Sequence, residues 1–149
     1  MNRPEAEKPL DLPPIFVDRA LDSPRFTEPL RTTQVRIGHL TGFMEVHAHN
    51  DLFAPDTRDE TWINHCGQNG WIVFTKDRAI RYRQMERQAV QTYNARLFNL
   101  ATRKNMTAEE NAQAFLKAIP RIAQFVRRHR PPFIAKVSRY GQVEMVLNL

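Results

Sequence analysis

Two apolar runs in this chain lead towards an aspartate, the second through a hydroxyl-bearing and charged end, Thr75-Lys76. Ile15-Phe16-Val17 is followed by Asp18, and Trp71-Ile72-Val73-Phe74-Thr75-Lys76 is followed by Asp77. Short runs rich in β-branched and aromatic residues fit strands buried on both faces, as in a parallel sheet. In open parallel α/β sheets, chemistry collects beyond the carboxyl ends of the strands, where both aspartates would stand. A third acid, Asp59 or Glu60, opens the helix expected before the second run, and a helix starting at that edge adds its first-turn side chains to the cluster. Converging carboxylates repel unless a cation sits among them, and Mg²⁺ or Mn²⁺ is the hard, oxygen-seeking ion that suits. Such a metal can activate water and stabilise charge on a phosphodiester. Arg19, Lys76, Arg78 and Arg81 are placed to hold a nucleic-acid backbone, and Arg83, Arg87, Arg96, Arg103 and Lys104 would extend that surface.

Each acid also has a structural explanation. Asp18 suits a turn or cap, Asp77 a cap on the following helix, and Asp59 the positive end of a helix dipole. Thr57 and Glu60 have capping-box spacing. Only the joint placement of the acids favours chemistry. His47 and His49 would share a strand face and could hold one metal, but no other histidine has ligand spacing to them, so a solvated strand-end pair is the expectation. Cys66 lies on an apolar helix face and reads as core. Arg127-Arg128-His129-Arg130 reads as a solvated helix end and as a second choice for an RNA contact.

The elements that must position these residues fit one domain of 149 residues. Residues 1–14, charged and proline-rich, read as a flexible tail, and residues 15–149 as a single α/β unit. Ser23 and Pro24 open a helix expected to reach about Arg36, with Gly38 marking its end. Phe43 to His47 reads as a strand, His49 to Asp56 as a loop, and about Arg58 to Cys66 as a helix with Trp62, Ile63 and Cys66 inward. A helix from about Ala79 to Tyr93, a strand over Arg96–Leu100 and a long helix from about Ala108 to Arg128 follow. Thr107 and Glu110 form a second capping-box pattern. Phe133–Ser138 and Val143–Leu147 read as a hairpin turning near Tyr140-Gly141. This alternation predicts a three-layer α/β/α sandwich with a mainly parallel sheet and a C-terminal β-hairpin.

Composition narrows the partners. A formal net charge of +6 favours an acidic one, nucleic acid first. A single cysteine excludes a disulfide framework and a zinc knuckle. No stretch approaches membrane-spanning length and no signal-peptide pattern opens the chain, so a cytoplasmic setting is the expectation.

Taken together, three blocks resemble the PIN-like nuclease domains, specifically the compact VapC-type toxins of toxin–antitoxin pairs. They are Phe16 to Leu21, Asp56 to Ile63 and Gly70 to Arg81. The similarity continues through Ala95 to Phe98, the helix from Thr107 to Ile122, and Pro132 to Val137. It implies a Mg²⁺- or Mn²⁺-dependent endoribonuclease in which water attacks phosphorus without a covalent enzyme intermediate. By position, Asp18 and Asp77 would be metal ligands. Asp59 would supply the third acid, with Glu60 as the competitor and Glu86 as a further, outer acid. Lys76 and Arg81 would orient phosphate. The resemblance also implies a cognate antitoxin that blocks the site, and often a homodimer. In one respect the chain departs from the pattern. Many relatives place a second acid just after the position of Asp77, where Arg78, Ala79 and Ile80 stand here. The alternative is therefore a PIN-like module that binds nucleic acid or protein without catalysis. A phosphoacceptor receiver domain ranks last, because Lys76 directly precedes Asp77 and alternation points it away from that carboxylate.

Overall fold

In the computed structural model, residues 10–76, 84–102 and 105–149 are described, with the side chains of residues 84–86 excepted. The strands are β1 (Ile15–Val17), β2 (Val35–Ile37), β3 (Leu40–Gly42), β4 (Val46–Ala48), β5 (Ile72–Thr75), β6 (Arg96–Ala101), β7 (Phe133–Ser138) and β8 (Val143–Asn148). The helices are α1 (Pro24–Thr32), α2 (His49–Leu52), α3 (Asp59–Asn69), α4 (Gln84–Thr92) and α5 (Ala108–Arg128). Six strands form the main sheet in the order β4-β1-β5-β6-β7-β8. All neighbours are parallel except β7 and β8, which form the expected antiparallel hairpin.

Side-chain alternation sorts the sheet into two faces. Val17, Phe74, Phe98 and Ala135 pack with Phe26 and Leu30 of α1 and with Phe115, Ile119 and Ile122 of α5. Phe16, Val73, Leu97 and Ile134 pack with Trp62, Ile63 and Cys66 of α3 and Val90 of α4. Both faces are covered, so the strands read as continuous apolar runs. Two aromatic pairs anchor the layers: Phe74 stacks on Phe115 at 4.1 Å, and Phe16 on Trp62 at 5.5 Å. The Cys66 thiol is buried in the second layer, and burial pushes its pKa well above the ordinary thiol range.

Several local expectations are corrected. The first helix stops at Thr32, and Val35–Ile37 and Leu40–Gly42 pair as a small hairpin. Val35 and Ile37 are β-branched and bury alternate side chains, a period that suits a strand. Gly38 takes φ +62° in the two-residue turn with His39, where Gly at the first turn position is the favoured choice. Residues 49–52, expected as loop, form α2. Helix α3 starts at Asp59 with Arg58 at its N-cap and no side-chain cap, so the Thr57–Glu60 capping box does not form. The Thr57 amide is already committed to a turn, donating to the Ala54 carbonyl at 3.0 Å. Of the expected tail, Leu10 and Leu12 pack against the core.

The Thr107–Glu110 capping box is present with both bonds at 3.1 Å. The backbone hydrogen bond from Thr107, its side-chain hydrogen bond and the nearby Arg139 charge hold the Glu110 carboxyl below its ordinary value of 4.5. A depressed carboxyl contributes stability above the ordinary value, and that contribution fades as pH falls through the folded-state value. Glu110→Gln keeps a neutral capping partner. Its Tm should fall less than that of the parent between about pH 5 and pH 3 in thermal melts, the window set by this direction of shift.

Candidate active site at the carboxyl edge of the sheet

Asp18 stands one residue beyond β1, and its amide donates to the Phe74 carbonyl at 3.1 Å, continuing the pairing with β5. The chain leaves β1 between β4 on one side and β5 on the other, so Asp18 lies at the point where strand order reverses. Its side chain is only 5% exposed. The Ala20 amide donates to Oδ1 at 2.8 Å, and the Thr75 hydroxyl donates to Oδ2 at 2.5 Å. Two donors aimed at the two oxygens fix the plane of the carboxylate. Thr75 closes β5 and is paired in register with Asn99 on β6, so Asp18, Thr75 and Asn99 form a buried polar row across three adjacent strands.

Helix α3 brings a second acid to this edge. It ends at Gly70, whose φ of +70° caps it, and leads directly into the start of β5. Its first turn therefore lies towards the carboxyl ends of the strands. Trp62 stacks on Phe16 and donates its Nε1–H to Asp59 Oδ1 at 3.1 Å. Asp59 is thus tied through one aromatic pair to the strand that carries Asp18. Glu60, the competing third acid, is exposed.

The basic rim is partly placed. Arg19 is exposed and donates through Nη1 to the Pro55 carbonyl, bracing the loop that leads to α3. Lys76, also exposed, lines a cavity of about 110 Å³ together with Ala20, Asp22, Met106 and Asn111. Arg87 is half-buried on α4. Arg96 does not belong to this rim. It opens β6, in register with Ile72 and Phe133, at the opposite edge of the sheet from Asp18. Burial lowers its pKa. The basic run from Arg127 to Arg130 ends α5 at that far edge as well, where Arg127 pairs with Asp11 at 3.5 Å. Asp77, Arg78, Arg81, Arg83, Arg103 and Lys104, and the side chain of Glu86, lie outside the described residues.

The histidine pair is solvated at one member alone, His47, whose side chain is 28% exposed. His47 stacks on Trp71 at 4.0 Å and meets Glu45 Oε2 at 2.7 Å. His49 begins α2 instead of continuing the strand, and it is buried against Phe16 and Phe53. Strand alternation therefore does not bring the two rings together as ligands. Among the described residues no group of three or more His, Cys, Asp or Glu side chains is arranged to hold a metal. Asp18 offers oxygen donors of the kind a hard cation prefers, and Asp59 a second carboxylate at the same edge. Sequence reading named the acids but overlooked Thr75 and Asn99 as their neighbours. Their signal is positional: Thr75 closes the apolar run of β5, and Asn99 is a polar residue set among the apolar residues of β6.

Comparison with known proteins agrees with this geometry. A family model described as PIN like domain matches residues 13–102, from just before β1 to just past β6. A protein of Mycobacterium tuberculosis (strain ATCC 25618 / H37Rv) named "Putative ribonuclease VapC45" is 33% identical over 135 residues, covering 91% of this chain and 93% of that protein. No solved structure shows a significant match. The matched span contains the strand-end aspartate, the α3 acids, Thr75 and Asn99, and the chain is a member of the PIN-like domain family.

Proposed function

We propose that the protein is a Mg²⁺- or Mn²⁺-dependent endoribonuclease, the toxin of a toxin–antitoxin pair acting in the cytoplasm. The observation that supports this best is the Asp18 carboxylate, buried at the switch point and fixed by the Ala20 amide and the Thr75 hydroxyl. The ribonuclease name of the 33% identical relative points the same way. Asp18, Asp59 and Asp77 would hold the metal, with Glu60 the alternative to Asp59. When bound, such an ion lowers the pKa of a water and offsets charge on the phosphodiester.

The chain's own residues have separable tasks. Thr75 and the Ala20 amide hold Asp18 in one orientation, so little reorganisation accompanies catalysis. Arg19 and Lys76 are exposed on the loops after β1 and β5 and supply cationic contacts for the RNA backbone, with Arg78 and Arg81 adding to them. A cognate antitoxin would act by covering this acidic edge.

The direct test is cleavage of an end-labelled single-stranded RNA by purified protein. Cleavage should require Mn²⁺ or Mg²⁺, fall to background with excess EDTA, and return when the metal is restored. Metal-independent cleavage would rule out the proposed cofactor. Failure to cut a broad RNA panel, together with tight binding of RNA or protein, would favour the non-catalytic module.

A further inference from the structure

We infer that the surface between α5 and the β7–β8 turn is a nucleobase subsite for single-stranded RNA, at a distance from the cleaved bond. The inference rests on the ribonuclease reading and assigns to that site residues that the strand-end acids do not include. Strand β7 is parallel to β6, and its last residue, Ser138, is in register with Ala101. The turn after β7 therefore projects beyond the same sheet edge as Asp18. The Gly141 carbonyl receives the Arg121 guanidinium at 3.0 Å, and a Cβ at Gly141 would come within 2.9 Å of Lys117 Cβ. The turn is thus seated on α5, and its tip has a fixed place.

At that tip Tyr140 is 64% exposed. The Arg139 guanidinium lies 4.7 Å from the ring centroid and donates to the Tyr140 hydroxyl at 2.5 Å. Two backbone amides hold the base of the turn, with Tyr140 N and Gln142 N donating to Ser138 Oγ at 3.2 and 3.1 Å. An exposed aromatic ring on a braced turn is a stacking platform, and sequence-tolerant recognition of single strands uses such rings with arginine beside them. Tyr140 also lines an open cavity of about 390 Å³, together with Arg139, Lys117, Gln113 and Glu109. This lining mixes cations with carboxylate and amide acceptors. A purely phosphate-binding site would not place Glu109 in the wall; its carboxylate, 53% exposed and 3.8 Å from the Arg25 guanidinium, can accept an N–H of a base edge, while Glu110 is taken up by its cap with Thr107.

The subsite connects to the cleavage centre. Met106 lines both this cavity and the smaller one beside Asp18, where Ala20 also forms part of the wall. The Ala20 amide is the donor to Asp18. A strand crossing the sheet edge would pass Asp18, Lys76 and Met106 and reach Tyr140, where one base stacks on the ring. Cleavage position would then depend on that base as well as on the nucleotides at the acids.

The experiment uses the Asp18→Asn protein, which retains the strand-end packing and does not consume its ligand. The probe is a set of single-stranded RNA oligonucleotides with 2-aminopurine at successive positions. One position should lose fluorescence on binding as the base stacks. Tyr140→Ala in the same background should abolish that quench and weaken binding about tenfold, within the range for one base–aromatic stack. Tyr140→Trp should restore both. If Tyr140→Ala binds as tightly as its parent with the same quench, the subsite is overturned while the ribonuclease reading stands. If the parent binds no RNA and the wild-type protein cuts none, both fall together.

Discussion

Replacing Asp18 by Asn should abolish metal-dependent RNA cleavage while leaving the protein folded. The substitution is nearly isosteric. The Asn carbonyl oxygen can still accept from the Ala20 amide, and the Thr75 hydroxyl can rotate to accept from the new amide group. What disappears is the negative charge, the property that the proposed role of Asp18 as a cation ligand requires. The expected fall in kcat is about a thousandfold or more, equivalent to roughly 4 kcal/mol of transition-state stabilisation. Thr75→Val removes only one orienting bond and should cost about tenfold, in line with the loss of a single hydrogen bond to a charged group. Comparing rates for the two variants at saturating Mn²⁺, with matched circular dichroism spectra, separates ligand from orienter. A wild-type rate in Asp18→Asn would remove the strand-end acid from the chemistry.

The parts of this site that were legible in the sequence are those set by long apolar runs. Ile15-Phe16-Val17 and Ile72-Val73-Phe74 are buried on both faces, so their strand character and the position of Asp18 at a strand end are readable from residue type, and a doubly wound sheet allows the two to lie side by side, as they do. Residues whose roles depend on register were harder to read. Thr75 and Asn99 gain meaning only because the register of β1, β5 and β6 sets them in line with Asp18, a tertiary fact. Arg96 shows the converse error. Charge and proximity to a strand suggested an RNA contact, but the direction of β6 puts its first residue at the far edge of the sheet. The Gly38 hairpin was missed because Pro24 and Ser23 give a strong helix start and the stop was sought at the next glycine. The two-residue periodicity of Val35 and Ile37 was the available signal. The Thr57 capping-box pattern failed for a local reason: a turn had already taken the Thr57 amide.

A glycine within α3 sets the second large effect. Gly67 lies inside the helix, where alanine is ordinarily better by about 1 kcal/mol. Here a Cβ would stand 1.9 Å from the Tyr93 carbonyl oxygen and 2.8 Å from its carbonyl carbon. Both are backbone atoms just past α4, so no flexible side chain can yield. Carbon and oxygen normally approach no closer than roughly 3.3 Å. The helix would have to move by more than an ångström, disturbing the shared packing of Trp62 and Cys66 with Ala89 and Val90. Such overpacking costs about 1–3 kcal/mol and occasionally more. Two contacts this short with unyielding backbone put the cost above that range, at about 4 kcal/mol, so after the propensity gain a net loss of about 3 kcal/mol remains and lowers Tm by roughly 10 °C for a domain of this size. Gly70→Ala is the informative control. Nothing lies within 4 Å of a Cβ there, so only its φ of +70° resists substitution, at about 1–2 kcal/mol. Thermal melts should rank wild type above Gly70→Ala and Gly70→Ala above Gly67→Ala. Cleavage should fall with Gly67→Ala even below its melting temperature, because α3 also positions Asp59 beside the strand-end site. A Gly67→Ala protein as stable as wild type would mean that α3 and α4 are not held at this separation.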